Sequence, residues 1–242
     1  MARRTAPSEP KTSRRTAGVM LRRLESLGTA QNRKIYRRHG ASENLFGVSF
    51  ANLDQLKKEI KTDHELAQQL WASGNDDARV LAAMIADPAA ADRELLESWK
   101  KDLNSYMVTD IFSGFVEKTA HAQKRMEQWT RSKEEFSGRA GWMLLARIAR
   151  SNESLPDSYF LPYLETIERT IHTSKNRVRD AMNSALIAIG IRNSALEKKA
   201  IAAARRIGKV EVDHGETGCK TPDAEAYILK ARRRQRTRAA AS

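Results

Sequence analysis

The sequence predicts an all-α fold and, within that class, a solenoid of paired helices. Apolar residues recur at helical spacing along most of the chain, and short polar turns separate these stretches. Strand signals are almost absent, because no alternating run of β-branched residues lies between turn dipeptides. Helices joined by such short turns must be antiparallel neighbours. Their pairs recur about every 30 to 40 residues, which is the period of a HEAT or armadillo array.

The first well-marked helix lies between residues 50 and 60. Phe50, Leu53, Leu56 and Ile60 share one face of it, and Ser49 is placed to cap its N-terminus. This pattern is typical of a surface helix with one buried side.

The helices that follow are also bounded by capping and breaking residues. Asp63 and Asp76 are placed to cap the next two helices, and Pro88 ends the second. The remaining helices are expected near residues 92–101, 104–119, 122–131, 135–150, 157–172, 176–192, 194–206 and 223–230. No strict sequence repeat accompanies this rhythm, and a compact helical bundle would give nearly the same pattern. The regular pairing favours the solenoid.

The net charge of +13 is concentrated in two tails. Residues 1–23 and residues 230–242 each carry +6, which leaves +1 for the residues between them. Within that body, residues 50–103 sum to −4, residues 121–150 to +4 and residues 175–209 to +7. A face formed by the later helices is therefore a candidate surface for a polyanion, although such residues often only solvate a helix surface.

Composition narrows the class of protein. The single cysteine, Cys219, excludes an internal disulfide framework and suits a reducing cytosol. No apolar run reaches the length of a membrane span, and the N-terminus has no apolar core of a secretory signal. An Arg-rich mitochondrial presequence stays open as an alternative. We expect a cytoplasmic protein of the bacterial cytosol or nucleoid. We expect its chain to comprise a disordered basic tail at 1–13, a helical repeat domain at 14–230 and a basic tail at 231–242.

A series of short stretches between about residues 30 and 210 has a characteristic order and spacing. The stretches are 32–40, the turn at 46–49, Leu70–Trp71 before Gly74, 106–110, the Trp129 helix leading into 136–150, and 178–190. In this order they resemble the AlkD-type family of DNA alkylation repair proteins. Members of that family are HEAT-like, an α–α superhelix, and include alkylpurine DNA glycosylases. The resemblance implies a concave face that binds duplex DNA.

The resemblance also implies particular site residues. The family's Trp-x-x-x-Asp pair matches Tyr106 and Asp110, which lie one turn apart on one helix face. The family's arginine matches Arg139, which follows Phe136. The second family tryptophan would fall close to Ser184, and there the match fails.

These residue types suit the excision of a cationic N3- or N7-alkylpurine. A fixed carboxylate, Asp110, stabilises the positive charge that develops on the sugar. Tyr106 offers a ring face to the cationic base, and Arg139 is expected to clamp a phosphate. The plainer alternatives are an ion pair of Asp110 with Lys118 or with a neighbouring repeat, a packing role for Tyr106 and an ordinary surface position for Arg139.

Two further segments carry candidates. The basic stretch 175–209 contains Arg177 and Arg179, which are expected to contact DNA. The segment 210–223 contains His214 and Cys219 among carboxylates, but its spacing matches no common zinc template. We expect it to be a loop that closes the last repeat, and we expect no metal and no cofactor.

Three functions are compatible with these observations. The favoured one is a monomeric DNA repair protein that binds alkylated duplex DNA as a glycosylase hydrolysing the N-glycosidic bond. The second is a non-catalytic HEAT-repeat protein that binds distorted DNA, and the third is a scaffold for protein partners. No phosphate-binding loop, dinucleotide fingerprint or HExxH motif is present to suggest nucleotide or metal hydrolysis.

Overall fold

The computed structural model describes residues 16–240 of the chain. This part contains thirteen α-helices, one 3₁₀ turn and a single isolated β-bridge between Gly28 and Val48. The all-α class predicted from the sequence is therefore confirmed. The predicted disordered tail at 1–13 lies outside the described residues. No helix within 16–240 is long and apolar enough to cross a membrane.

The described chain divides into two compact units. Residues 16–37 and 43–87 form the first unit, which contains five helices. They are α1 (Ala17–Leu27), α2 (Ala30–Arg38, whose last residue belongs to the second unit), α3 (Phe50–Ile60), α4 (His64–Ala72) and α5 (Asp76–Ile85). Its core is lined by aliphatic side chains such as Leu24, Leu53 and Leu70, with Trp71 packed among them.

A buried carboxylate organises the turn before α3. Asp77, in the first turn of α5, accepts hydrogen bonds from the backbone N–H groups of Phe46, Gly47 and Val48 at 2.7, 2.9 and 3.0 Å. Gly47 has φ of +78°, a conformation that favours glycine. The conformation of this turn is therefore fixed by a residue about thirty positions further along the chain.

The second unit comprises residues 38–42 and 88–240 and contains eight helices. They are α6 (Arg93–Lys101), α7 (Tyr106–Val116), α8 (Ala122–Trp129), α9 (Glu135–Ser151), α10 (Asp157–Thr170), α11 (Asn176–Gly190), α12 (Ser194–Ile207) and α13 (Ala224–Ala240). A 3₁₀ turn, Ile171–Thr173, follows α10.

Helix α9 lies at the centre of the second unit. It packs against α7, α8 and α11, and its contact with α11 is the most extensive in the chain. Eleven of its seventeen residues are buried, which explains why its sequence is apolar around most of its circumference. Gly141 allows α9 to approach the end of α8, because a Cβ there would lie 2.3 Å from the backbone N of Thr130.

All four tryptophans of the chain are almost completely buried. Trp71 belongs to the first unit, whereas Trp99, Trp129 and Trp142 belong to the second. Phe112 stacks on Trp129 with ring centroids 5.7 Å apart and lies 6.4 Å from Trp99. The second unit therefore has an aromatic core where α6, α7 and α8 meet.

Most helix limits agree with the sequence prediction to within two or three residues. Ser49 and Asp63 cap their helices as expected. The cap of α5 is Asn75 rather than Asp76, because the Asn75 side chain accepts the hydrogen bond from Ala78 N. The closing helix, expected to end at Lys230, continues to Ala240. Most of the predicted basic tail at 231–242 is therefore helical.

Candidate nucleic-acid interface

Two predicted site residues lie on one face of α7. Ser105 caps this helix, and its hydroxyl accepts a hydrogen bond from Val108 N. Tyr106 is in the first turn and Asp110 follows one turn later, so that both side chains point to the same side. Both are half-buried, and the Asp110 side chain is 26% exposed. The local sequence thus places an aromatic ring and a carboxylate together.

Arg139 of α9 joins α7 to α11 through two carboxylates. Its Nε and Nη2 donate to the two oxygens of Asp110, both at 2.8 Å. Its Nη1 donates to Asp180 Oδ2 at 2.7 Å and to the Arg177 carbonyl at 3.1 Å. Such bidentate, charge-assisted hydrogen bonds fix the orientation of both partners.

The ring of Tyr106 lies close to two cations. The guanidinium carbons of Arg177 and Arg139 are 4.8 and 5.2 Å from its centroid, within the range of cation–π attraction. The Tyr106 hydroxyl makes a 2.8 Å hydrogen bond with Nδ1 of His39. We call the group formed by Tyr106, Asp110, Arg139, Arg177 and Asp180 the Tyr106 cluster.

Burial and charge act in opposite directions on the ionisable groups of the cluster. Burial raises the pKa of Asp110, and the Arg139 guanidinium partly offsets that effect. Burial alone would lower the pKa of Arg139, but the charges and hydrogen bonds of Asp110 and Asp180 raise it above its ordinary value. Burial also raises the pKa of Tyr106. The tyrosine and the arginine therefore stay protonated at neutral pH.

The predicted phosphate contact of Arg139 does not fit this arrangement. Its side chain is only 4% exposed, and four hydrogen bonds already engage all three of its nitrogens. The ion-pair alternative for Asp110 describes the geometry better, although its partner is Arg139 rather than Lys118. The sequence could not reveal this, because the pairing depends on how α7, α9 and α11 pack.

The other predicted residues divide between the cluster and its surroundings. Arg177 belongs to the cluster, and Ser184 is half-buried one turn after Asp180 on the same face of α11. Phe136 is half-buried one turn before Arg139. Arg179 points elsewhere, because its guanidinium donates to the carbonyls of Glu211 and Ser174.

Sequence reasoning missed two participants, His39 and Asp180. His39 lies in the stretch 32–40 that supported the family resemblance, but only the folded chain brings it to Tyr106. Asp180 precedes Ser184 by one helical turn. Its spacing from Ser184 could therefore have placed it on the same face of the helix as a predicted site position.

Three cations near the end of the basic stretch 175–209 have acidic partners. Arg205 pairs with Glu225, Arg206 with Glu168 and Lys209 with Glu211. The end of α12 and the residues after it therefore offer fewer unpaired cations to a polyanion than their sequence suggests.

The segment 210–223 is non-helical and borders a cleft of about 820 Å³ beside the first half of α11. Asn176 holds it through two hydrogen bonds with the backbone of Asp213, and Asn183 donates to the Pro222 carbonyl. Among residues 16–240 no three His, Cys, Asp or Glu side chains are grouped so as to hold a metal ion.

Comparison with known proteins gives consistent similarities. A family model described as DNA alkylation repair enzyme matches residues 20–228. The uncharacterized proteins Lin0241 of Listeria innocua serovar 6a and Lmo0209 of Listeria monocytogenes serovar 1/2a are each 31% identical over 217 residues, which cover 87% of this chain and 95% of the relative.

One solved structure aligns over almost its whole length, with a TM-score of 0.84 and 31% identity, covering 91% of this chain and 95% of the other. It represents a family of proteins related to the HEAT-like repeat DNA glycosylases, with affinity for branched DNA structures. The HEAT-like fold predicted from helix rhythm is confirmed by this similarity.

Proposed function

Because the chain belongs to the family of DNA alkylation repair enzymes, we propose that it is a DNA-binding repair protein that prefers branched over linear duplexes. Support comes from the extensive similarity to a solved relative with affinity for branched DNA. The Tyr106 cluster and its surroundings are the proposed contact surface, with Arg177 as a phosphate ligand in place of the buried Arg139.

The observation that carries this proposal is the pairing of Asp110 with Arg139. A carboxylate that stabilises an oxocarbenium ion must present its negative charge to the sugar. Here both oxygens of Asp110 accept hydrogen bonds from one guanidinium, which offsets that charge. Ser184 also supplies no aromatic wall. The geometry therefore supports binding more strongly than base excision.

Excision of alkylpurines is the second candidate function, because the Asp110 carboxylate is partly accessible to solvent. Its side chain is 26% exposed and lies one turn from the half-buried ring of Tyr106. The missing aromatic wall is worth about 0.5–2 kcal/mol, which would slow excision without abolishing it.

Binding is tested by titrating the protein with a labelled four-way junction and with a linear duplex of the same arm sequences. We expect tighter binding to the junction. Arg177→Gln should weaken binding and reduce the magnitude of the log–log salt slope by about 1, as for the loss of one phosphate contact. The hydrogen bonds that Arg177 makes within the protein involve its backbone, so we expect the variant to keep the fold. Arg206→Gln, which removes an exposed, ion-paired cation, is the matched control.

Equal affinity for junction and linear duplex would refute the preference for branched DNA. Excision is tested separately by measuring the release of 7-methylguanine from methylated duplex DNA. Release by the wild type that disappears in Asp110→Asn, with unchanged thermal unfolding, would establish the second candidate as an activity.

A further inference from the structure

The closing helix α13 is held to the second unit by one of its faces. Ile228 is fully buried and packs against Gly190, where a Cβ would lie 2.6 Å from the Ile228 Cδ1 atom. Arg232 and Arg236 follow at intervals of four residues, and both donate to the carboxylate of Glu197 on α12. The orientation of α13 is therefore fixed by an apolar contact and by a pair of salt bridges.

The opposite face of α13 carries only basic charge. Lys230, Arg233, Arg234 and Arg238 are spaced at i, i+3, i+4 and i+8, which places them on one side of the helix. All four are exposed, and Tyr227 beside them is 50% exposed. No acidic residue occurs between 226 and 240.

Fewer charges of this face have acidic partners than at the end of α12. Lys230, Arg233 and Arg234 form no ion pair within the described part of the chain, in contrast to Arg205 and Arg206. Along the helix, residues four positions apart are separated by about 6 Å. Lys230, Arg234 and Arg238 therefore form a row of regularly spaced cations, as expected of a surface that follows a phosphate backbone.

Helix α11 connects this face to the Tyr106 cluster. The cluster includes Arg177 in the first turn of α11, whereas α13 packs on Gly190 at its end. Thirteen residues of helix separate these positions by roughly 20 Å. A branched DNA differs from a linear one in presenting more than one duplex arm near a single point. A second phosphate-binding surface at such a distance would let the protein contact two arms at once.

We propose that the exposed face of α13, formed by Lys230, Arg233, Arg234 and Arg238, binds the phosphates of a second duplex arm of branched DNA. This inference rests on the proposed function, because it assumes that the first arm is bound near the Tyr106 cluster.

The test is a protein in which Lys230, Arg233 and Arg234 are all replaced by Gln. We expect its affinity for the four-way junction to fall roughly ten-fold and the junction salt slope to decrease in magnitude by about 3, whereas affinity for the linear duplex changes by less than about two-fold. The control replaces Lys57, Lys58 and Lys124 by Gln, since these exposed residues give the same change in net charge. The control should leave the junction preference intact.

The outcomes separate the two proposals. If the wild type shows no preference for the junction, the proposed function fails. If the wild type prefers the junction and the α13 variant keeps that preference, only the second-arm contact is overturned. An equal loss of affinity for both DNAs, or the same loss in the control, also overturns it. Because the replaced side chains are exposed, thermal unfolding should be unchanged.

Discussion

Arg139 shows how one side chain determines the character of the site. Its side chain is only 4% exposed, and it keeps its charge there because two carboxylates and a carbonyl accept hydrogen bonds from its N–H groups. Removing one partner of such a buried ion pair leaves charges without compensation, which costs far more than the loss of an exposed pair. The residue is therefore a structural connection between α7, α9 and α11 as well as a neighbour of the proposed DNA surface.

Replacement of Arg139 by Gln should lower the free energy of unfolding by about 3–5 kcal/mol at pH 7. Asp110 and Asp180 would then face each other without a cation, so the loss should shrink at lower pH as a carboxyl group takes up a proton. Urea unfolding at pH 7 and pH 5 measures both effects. Arg206→Gln should cost less than about 1 kcal/mol. A similar cost for both variants would contradict the structural role of Arg139.

The same reasoning applies to Glu97, which joins α6 to α8. Burial raises the pKa of Glu97, but hydrogen bonds from Lys100, Trp129 and Arg125 outweigh it and lower the pKa to about 2. The Arg125 side chain is 2% exposed, so it depends on this carboxylate for its charge partner. The folded pKa lies below the ordinary value of 4.5, so the stabilisation is complete above pH 4.5 and is lost as the pH falls towards 2.

We expect Glu97→Gln to be less stable than the wild type by about 3 kcal/mol at neutral pH. The two proteins should converge in stability between pH 4.5 and pH 2, the interval set by the shifted pKa. Denaturant titrations at several pH values follow this difference. A difference that stays constant down to the lowest pH would show that the carboxylate is not the stabilising form.

At the scale of the helices, close approach matters more than helix propensity. Alanine is favoured over glycine inside a helix by about 1 kcal/mol, but a Cβ at Gly141 would lie 2.3 Å from Thr130 N and 2.4 Å from the Trp129 carbonyl carbon. Because both are backbone atoms, neither can move aside without shifting α8 against α9.

Gly141→Ala should therefore destabilise the protein, with a net loss of about 2 kcal/mol. Gly18→Ala in α1 is the matched control, since the nearest atom to its added Cβ would be 3.8 Å away. The control should be neutral or gain up to about 1 kcal/mol. Thermal unfolding measures the stability of both variants relative to the wild type. A stabilised Gly141→Ala protein would show that α8 and α9 can move apart with little loss of stability.

Local features of the helices were predictable from sequence, and features that depend on packing were not. Ser49 and Asp63 were predictable as caps because Ser and Asp side chains at a helix N-terminus accept hydrogen bonds from nearby N–H groups. In the structure they accept from the N–H groups of Asn52 and Leu66. The extension of α13 beyond Lys230 was not anticipated, because its sequence is dominated by arginine. Two of these arginines pair with Glu197, which lies about 35 residues earlier in the chain. The partners of Arg139 were hidden for the same reason.

At the scale of the whole molecule, the charge of +13 sets the expected sensitivity to salt. Residues 1–15 contribute five basic residues and one acidic residue. Replacing Arg3, Arg4, Lys11, Arg14 and Arg15 by Gln should weaken binding to every DNA and reduce its salt dependence. The ratio of junction to linear affinity should be unchanged, as measured by parallel titrations. A lost ratio would place the selectivity in the N-terminal residues instead of the second unit.

The distribution of the tryptophans makes the two units separately observable by fluorescence. Trp71 is the only indole in the first unit, and the second unit contains the other three. The indole emission of a Trp71→Phe protein therefore comes only from residues 88–240. The indole emission of a protein with phenylalanine at 99, 129 and 142 comes only from the first unit. Because each indole is almost completely buried, its emission shifts to longer wavelength when its own unit opens. A pair of such proteins would show whether binding of DNA delays the opening of one unit or of both.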